Sequence, residues 1–390
     1  MHELLVKGGM VIDPSQGIHD QRDIGISLGK ITALAHDITP SEAKRVIDAS
    51  GLIVTPGLID IHAHVADGIF QRAIPPDEAG VLTGVTTVCD AGSTGWANFA
   101  AFRRYVIPQA QTDVFAFLNL GSMGLPVRPE IWCRQNIDLE AMLKTIAENR
   151  DTIKGVKLRA VGIVILNLGV EAIRLTKKVA TEAGLPIMIH MGIDPTDVVP
   201  EDTVSTFTRG MLSLLDKGDI VSHIYQWKPG GVIKPDGTVL PEFRDAIQRG
   251  VVSDVAQSPL HCSTEIARKG LEQGVLPTTL STDLGSASIN GPVFSLPVTM
   301  SRYLALGLTL DQAVEMTTIN PARALGEEQR RGSLKIGMTA DISLLELSEG
   351  DFLFPDCMGI EGKPSHGNLL LVPKLTLKSG VEIETRPRFK

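Results

Sequence analysis

Two histidines close an apolar run, Thr55-Pro56-Gly57-Leu58-Ile59-Asp60-Ile61-His62-Ala63-His64. Residues two apart on a strand share a face, so His62 and His64 aim two imidazoles at one point. Neutral imidazole is a favoured ligand for zinc and the neighbouring transition metals. A His-x-His pair alone is a weak signal, but other apolar runs end in the same way. Gly155-Val156-Lys157-Leu158-Arg159 carries Lys157, Ile187-Met188-Ile189-His190 ends in His190, Ile220-Val221-Ser222-His223 in His223, and Leu280-Ser281-Thr282-Asp283 in Asp283. Taken singly, each has a plainer role. A histidine closing a buried strand is often a hydrogen-bonded core residue, Asp283 can cap a following helix, and Lys157 can bind phosphate or form a Schiff base. Their gathering at one rim by coincidence is far less plausible than a single metal site.

The elements that would gather them are regular. Short, β-branched apolar runs cover 58–64, 85–90, 114–119, 155–159, 186–190, 219–223, 251–255 and 278–283. Helical patterns such as 138–149 and 170–183 lie between them. Strands alternating with helices indicate βαβ units and a parallel sheet. Eight such units predict an α/β fold of the (β/α)8 TIM-barrel kind, whose active sites lie at the C-terminal ends of the strands. Both chain ends read instead as short strands separated by turns: 4–6, 10–12, 23–27 and 30–34, then 340–345, 369–371 and 375–377. These are expected to pair into a small β-sandwich. The expected division is 1–55 plus 335–390 for the sandwich and 56–334 for the barrel.

The composition narrows the function. With 390 residues, 43% of them hydrophobic, the chain has ample material for a large core. A formal net charge of -8 and the lack of a basic cluster argue against a nucleic-acid partner. No apolar run reaches the roughly 18 residues of a membrane span. The segment 1–7 lacks the charged and apolar regions of a signal peptide. Cys89, Cys133, Cys262 and Cys357 are widely separated, without a Cys-x-x-Cys spacing, and read as reduced thiols of a cytoplasmic protein. Hydride and phosphoryl transfer lack a motif, since neither a Gly-x-Gly-x-x-Gly turn nor a phosphate-binding loop is present.

From the Pro56-Gly57-Leu58-Ile59-Asp60 lead-in to the run Gly332-Ser333-Leu334-Lys335-Ile336-Gly337-Met338-Thr339-Ala340-Asp341, the chain resembles the amidohydrolase superfamily. Within it, Gly84-Val85-Thr86-Thr87-Val88-Cys89-Asp90-Ala91-Gly92-Ser93, Phe102-Arg103-Arg104-Tyr105-Val106-Ile107 and Asn290-Gly291-Pro292-Val293-Phe294 resemble the dihydroorotase-like amidohydrolase/deacetylase branch, which includes an acetyl-mandelate esterase. The resemblance implies that His62, His64 and Asp283 hold the more buried of two divalent metals, and that His190 and His223 hold the more exposed one. It also implies that Lys157, as N6-carboxylysine, bridges them. An ammonium would repel two dications, whereas a carbamate is an anion with two oxygens. Zinc is the expected metal, with manganese as the alternative. Paired metals can share one hydroxide, one of them can polarise a carbonyl, and Asp283 is the expected proton relay. The implied reaction is hydrolysis of an amide or ester (acyl or acetyl) bond in a small substrate. A cyclic-amide hydrolase of the dihydroorotase or hydantoinase kind is the alternative, and a homo-oligomer is implied. A non-catalytic scaffold would have lost metal ligands, and all six are retained.

The substrate side is read from fewer residues. Arg159, two residues beyond Lys157, shares its face and has forked donors for a carboxylate, or it pairs with a neighbouring acid. Arg72, after the first run, is a weaker candidate. Tyr225 and Trp227 follow His223 and are candidates for an aromatic wall. Two segments depart from the branch's usual pattern. Asp254-Val255 leads into Ala256-Gln257-Ser258-Pro259-Leu260-His261 instead of a His-Gly run, and Asp283 is followed by Leu284-Gly285-Ser286 without a histidine. His261 is the expected substitute on the substrate side.

Overall fold

A computed structural model describes residues 1–194, 197–357 and 364–389. Seven of the eight expected runs form one parallel sheet: Leu58–Ala63, Val85–Gly95, Asp113–Asn119, Ile153–Arg159, Ile187–His190, Ile220–Ser222 and Val252–Asp254. Their order in space is their order in the chain. All are buried along most of their length, as expected of a sheet covered on both faces. Helices on the connections supply one cover. Leu139–Glu148 starts where the Asp138 carboxylate accepts from the Ala141 amide, and Glu171–Ala183 stops at Gly184 in the left-handed conformation, φ +64°. Both lie where helical periodicity placed them.

The eighth run makes no continuous ladder. It touches both edges of the sheet through isolated parallel bridges, Asp254 with Thr279 and Ala63 with Leu284. The Asp283 amide donates to the His62 carbonyl at 2.6 Å and the His64 amide to the Leu284 carbonyl at 2.9 Å. The interruption has a chemical reason. The Asp60 carboxylate takes both the backbone amide of Thr282, at 3.2 Å, and its hydroxyl, at 2.5 Å. Asp254 takes the Ser281 and Thr279 hydroxyls. The Thr282 amide, a donor that a regular ladder would use, is thus claimed by a side chain.

The two chain ends pair with each other in one eight-stranded mixed sheet, where a small β-sandwich was expected. Ile53–Pro56 is the seam: it lies parallel to Leu4–Asp13 and antiparallel to Ile342–Phe354. The expected strands 369–371 and 375–377 are parts of one long strand, Ser365–Lys378. Among the described residues no helix is long and apolar enough to cross a membrane.

Candidate metal centre

The C-terminal ends of the parallel strands surround a cavity of about 270 Å³, and His62, His64, Lys157, His190 and Asp283 line it. His223 is fully buried beside them, its ring centroid 4.3 Å from that of His190 and 5.3 Å from that of His62. The six residues expected to hold metal therefore meet. Five of them fall into two groups of closely spaced donor atoms, His62, His64 and Asp283, and His190 and His223, the second joined by His261; Lys157 stands outside both.

In the first group, Asp283 Oδ1 lies 3.0 Å from His64 Nε2 and 3.6 Å from His62 Nε2. The other ring nitrogens are tied down. His62 Nδ1 faces the Ser222 hydroxyl at 3.2 Å and the Asp254 carboxylate at 3.3 Å, and His64 Nδ1 faces the Ser93 hydroxyl at 2.9 Å. Such outer partners orient a histidine and leave Nε2 for a metal. Ser93 is itself set by the Asp90 carboxylate, which accepts its amide at 2.7 Å. Burial pushes the Asp283 carboxyl up, but the His64 hydrogen bond and its imidazole neighbours outweigh this and keep it ionised.

In the second group, His223 Nδ1 donates to the Ala256 carbonyl at 2.8 Å, which leaves the lone pair on Nε2, 2.8 Å from His190 Nδ1. His190 Nε2 is buried without a hydrogen-bond partner among the described residues. Burial lowers the pKa of His62, His190 and His223, and that of His261 to about 3, so the cluster is neutral and its lone pairs are available.

Lys157 is 1% exposed, and its Nζ lies 3.2 Å from His62 Nε2. No carboxylate pairs with it among the described residues. Burial pushes its amine down to about 7. Gly92, at φ +85°, gives it room: a Cβ there would sit 2.6 Å from Lys157 Cγ. Backbone strain gathers at the same rim. His223, Ala256, Ser258 and Asp283 all take positive φ, between 43° and 67°, a cost that non-glycine residues bear mainly at functional sites.

The outer wall differs from expectation. Arg159 does line the cavity, but its two terminal nitrogens are taken by carboxylates, Glu130 and, at 2.6 Å, Asp194. Tyr225 is a correction: it is fully buried away from the cavity, and its hydroxyl donates to the Val275 carbonyl at 2.9 Å. Trp227 lies outside the cavity as well, donating to the Leu260 carbonyl. His261 is buried and lines the cavity. Gln226 sets its tautomer. The Gln226 Oε1 accepts from the Lys228 amide at 3.3 Å, so its Nε2 donates to His261 Nδ1 at 2.9 Å. The His261 proton then sits on Nε2. Sequence reasoning missed Ser93, Gln226, Glu130 and Arg128. Ser93 closes a run that carries a resemblance, whereas the other three sit on loops without periodicity.

This geometry agrees with the comparisons. The model of the amidohydrolase family matches residues 53–368. The chain belongs to that family. A deacetylase from Brucella anthropi is 33% identical over 365 residues, 93% of this chain and 87% of that protein. A deacetylase from Agrobacterium fabrum is 34% identical over 335 residues, 85% of this chain and 79% of that one. Among solved structures, a dihydroorotase superposes with a TM-score of 0.85 at 31% identity, and covers 99% of each chain. An adenine deaminase superposes with a TM-score of 0.88 at 27% identity, covering 99% of this chain and 100% of its own. This amidohydrolase has a TIM-barrel-like fold and is a hydrolytic enzyme of a generally metal-dependent family that acts on amide and acyl bonds.

Proposed function

We infer that the protein is a binuclear deacylase that cleaves an acetyl or similar acyl group from a small carboxylate-bearing amide or ester. What carries the reading is the donor set: two three-residue groups of closely spaced donor atoms at the cavity floor, with a buried lysine that has no acidic partner beside them. The residues fit a metal pair. The orphaned His190 Nε2, the lone pair of His223 and the oriented Nε2 atoms of His62 and His64 all ask for a cation.

His62, His64 and Asp283 would hold one ion, His190 and His223 the other, and Lys157, carboxylated on Nζ, would bridge them. The neutral amine that burial favours is the form that adds carbon dioxide. Two divalent ions, zinc or manganese, supply a water made acidic to near pH 7 and a Lewis acid for the substrate carbonyl. Asp283 accepts the proton of the attacking water at a carboxylate oxygen and returns it to the leaving amine or alcohol. His261 presents its Nε2 proton to substrate oxygen. The segment 278–284 completes the ring as the eighth strand of a (β/α)8 barrel, residues 56–334, beside a terminal domain of 1–55 and 335–390.

Metal analysis is expected to find about two equivalents per chain, with less in His190→Ala and His223→Ala. A panel of N-acetyl amino acids, acetylated hydroxy acids and dihydroorotate separates deacylation from cyclic-amide hydrolysis. Turnover of dihydroorotate alone would replace the first reading with the second. The dihydroorotase match among solved structures is the observation that keeps the second in view.

A further inference from the structure

We propose that Arg128, on the loop after the third parallel strand, is the residue that reads the substrate's carboxylate, and that Arg159 is a positioning strut. The inference rests on the hydrolytic reading above and names the ligand chemistry of the same cavity.

Arg72, Arg128 and Arg159 all line the cavity. Arg159 is 8% exposed and already bonded to two acids, Glu130 and Asp194. Taken together the three groups carry a net negative charge, so an incoming carboxylate would meet repulsion there. Arg128 is the opposite case. Among the described residues it has no hydrogen bond or ion pair. Its guanidinium lies 5.9 Å from the Phe70 ring centroid, a cation–π contact that occupies a face and leaves the edge donors open. Burial and the nearby Arg159 charge both disfavour its cation. An anion beside it would relieve both. A carboxylate matches the planar fork of a guanidinium in two parallel hydrogen bonds. Phe70, with Leu125 and Ala73 behind it, makes an apolar wall next to that fork. The class of ligand is therefore a small carboxylate with an acylated amine or hydroxyl and an apolar flank.

The test compares N-acetyl-alanine with its neutral primary amide on the metal-loaded enzyme and on Arg128→Ala, by calorimetric binding and by kcat/KM. A charged, forked hydrogen-bond pair sets the expected size: the wild type favours the acid about 10- to 100-fold, and Arg128→Ala loses that preference. Arg128→Lys recovers part of it. An acid-to-amide ratio near one in the wild type, or one unchanged in Arg128→Ala, overturns the proposal. If the wild type binds the acid selectively through Arg128 but hydrolyses nothing on the panel, the hydrolytic reading fails and this one stands.

Discussion

The floor of the cavity and its rim are built by opposite rules. On the floor, neutral imidazoles and a lysine without an acid are packed together, a donor set that would suit cations. On the rim, the Arg159 guanidinium is held by Glu130 and Asp194, and the three together carry one net negative charge. The floor brings its donor atoms together at close range, and His190 Nε2 among them has no hydrogen-bond partner among the described residues. Most of the rim is finished structure, with Arg128 the exception. Function concentrates where the fold leaves groups incomplete, and the comparison can be broken from either side.

The largest effect is expected on the floor. Lys157→Ala removes the bridge and should lower kcat/KM by about 10³-fold or more, as loss of a metal-activated water implies. Metal content, read by atomic emission, should fall below two equivalents. Short carboxylates added to the variant should restore part of the activity, because they can replace the bridging anion. Full activity in Lys157→Ala would remove the reason for a bridged pair.

Arg159→Met tests the rim. It leaves Glu130 and Asp194 facing each other in a buried place, and loss of one partner of a buried ion pair costs about 3–5 kcal/mol. A urea melt should register that loss in the metal-free and the metal-loaded protein alike. A change confined to KM for anionic substrates, with stability intact, would instead return the reading role to Arg159.

These two residues also mark what can be read from the chain. Strand periodicity put Lys157 and Arg159 on one face, and both do reach the cavity. Their partners separate them. Glu130 and Asp194 arrive from loops 29 and 35 residues away, contacts that no local spacing announces. The candidate metal residues were legible because each lies at or near the C-terminal end of an expected strand run, so position alone gathers them. Tyr225 was misread because it follows His223 in a loop, and nearness in sequence to a site residue does not turn a loop side chain towards the site. His223 adopts φ +67°, which turns the chain and sends the next side chains into the outer core. His261 was found by its type and not by its place: a loop histidine carries no sign that Gln226 will fix it. At the chain ends the strands were legible, but the seam at Ile53–Pro56 depends on pairing between distant segments.

Acidification separates floor from rim by a smaller amount. In chelated protein the floor histidines are buried neutral, with pKa values pushed down by desolvation, to about 3 for His261. The unfolded chain, with ordinary histidines, takes up protons first. The histidines' share of the stability is therefore complete above about pH 6.5 and is lost as pH drops towards 3, by up to about 1.4 kcal/mol per pH unit for each such histidine. On the rim, Asp194 answers only at the acid end of that window. Arg159 stays charged, and burial, which raises the Asp194 carboxyl, is outweighed by Arg159, so that acid titrates below its usual range. Urea melts at pH 8 and 5.5 should show the loss, and His261→Ala should remove one histidine's share. Equal stability at the two pH values would mean that the floor is hydrated or already protonated.

The smallest effect is expected at Tyr225. Its hydroxyl donates to the Val275 carbonyl and its ring stacks near Tyr303, with centroids 6.0 Å apart, in the core behind the cavity. Tyr225→Phe keeps the ring and deletes one neutral hydrogen bond, leaving the Val275 carbonyl short of a donor. The cost is about 1 kcal/mol of stability, while KM and kcat for the acylated substrates stay as in the wild type. A residue on the cavity wall would behave in the reverse manner, shifting KM with stability nearly intact. Measuring both quantities on this one variant therefore decides whether the aromatic after His223 belongs to the finished structure or to the site.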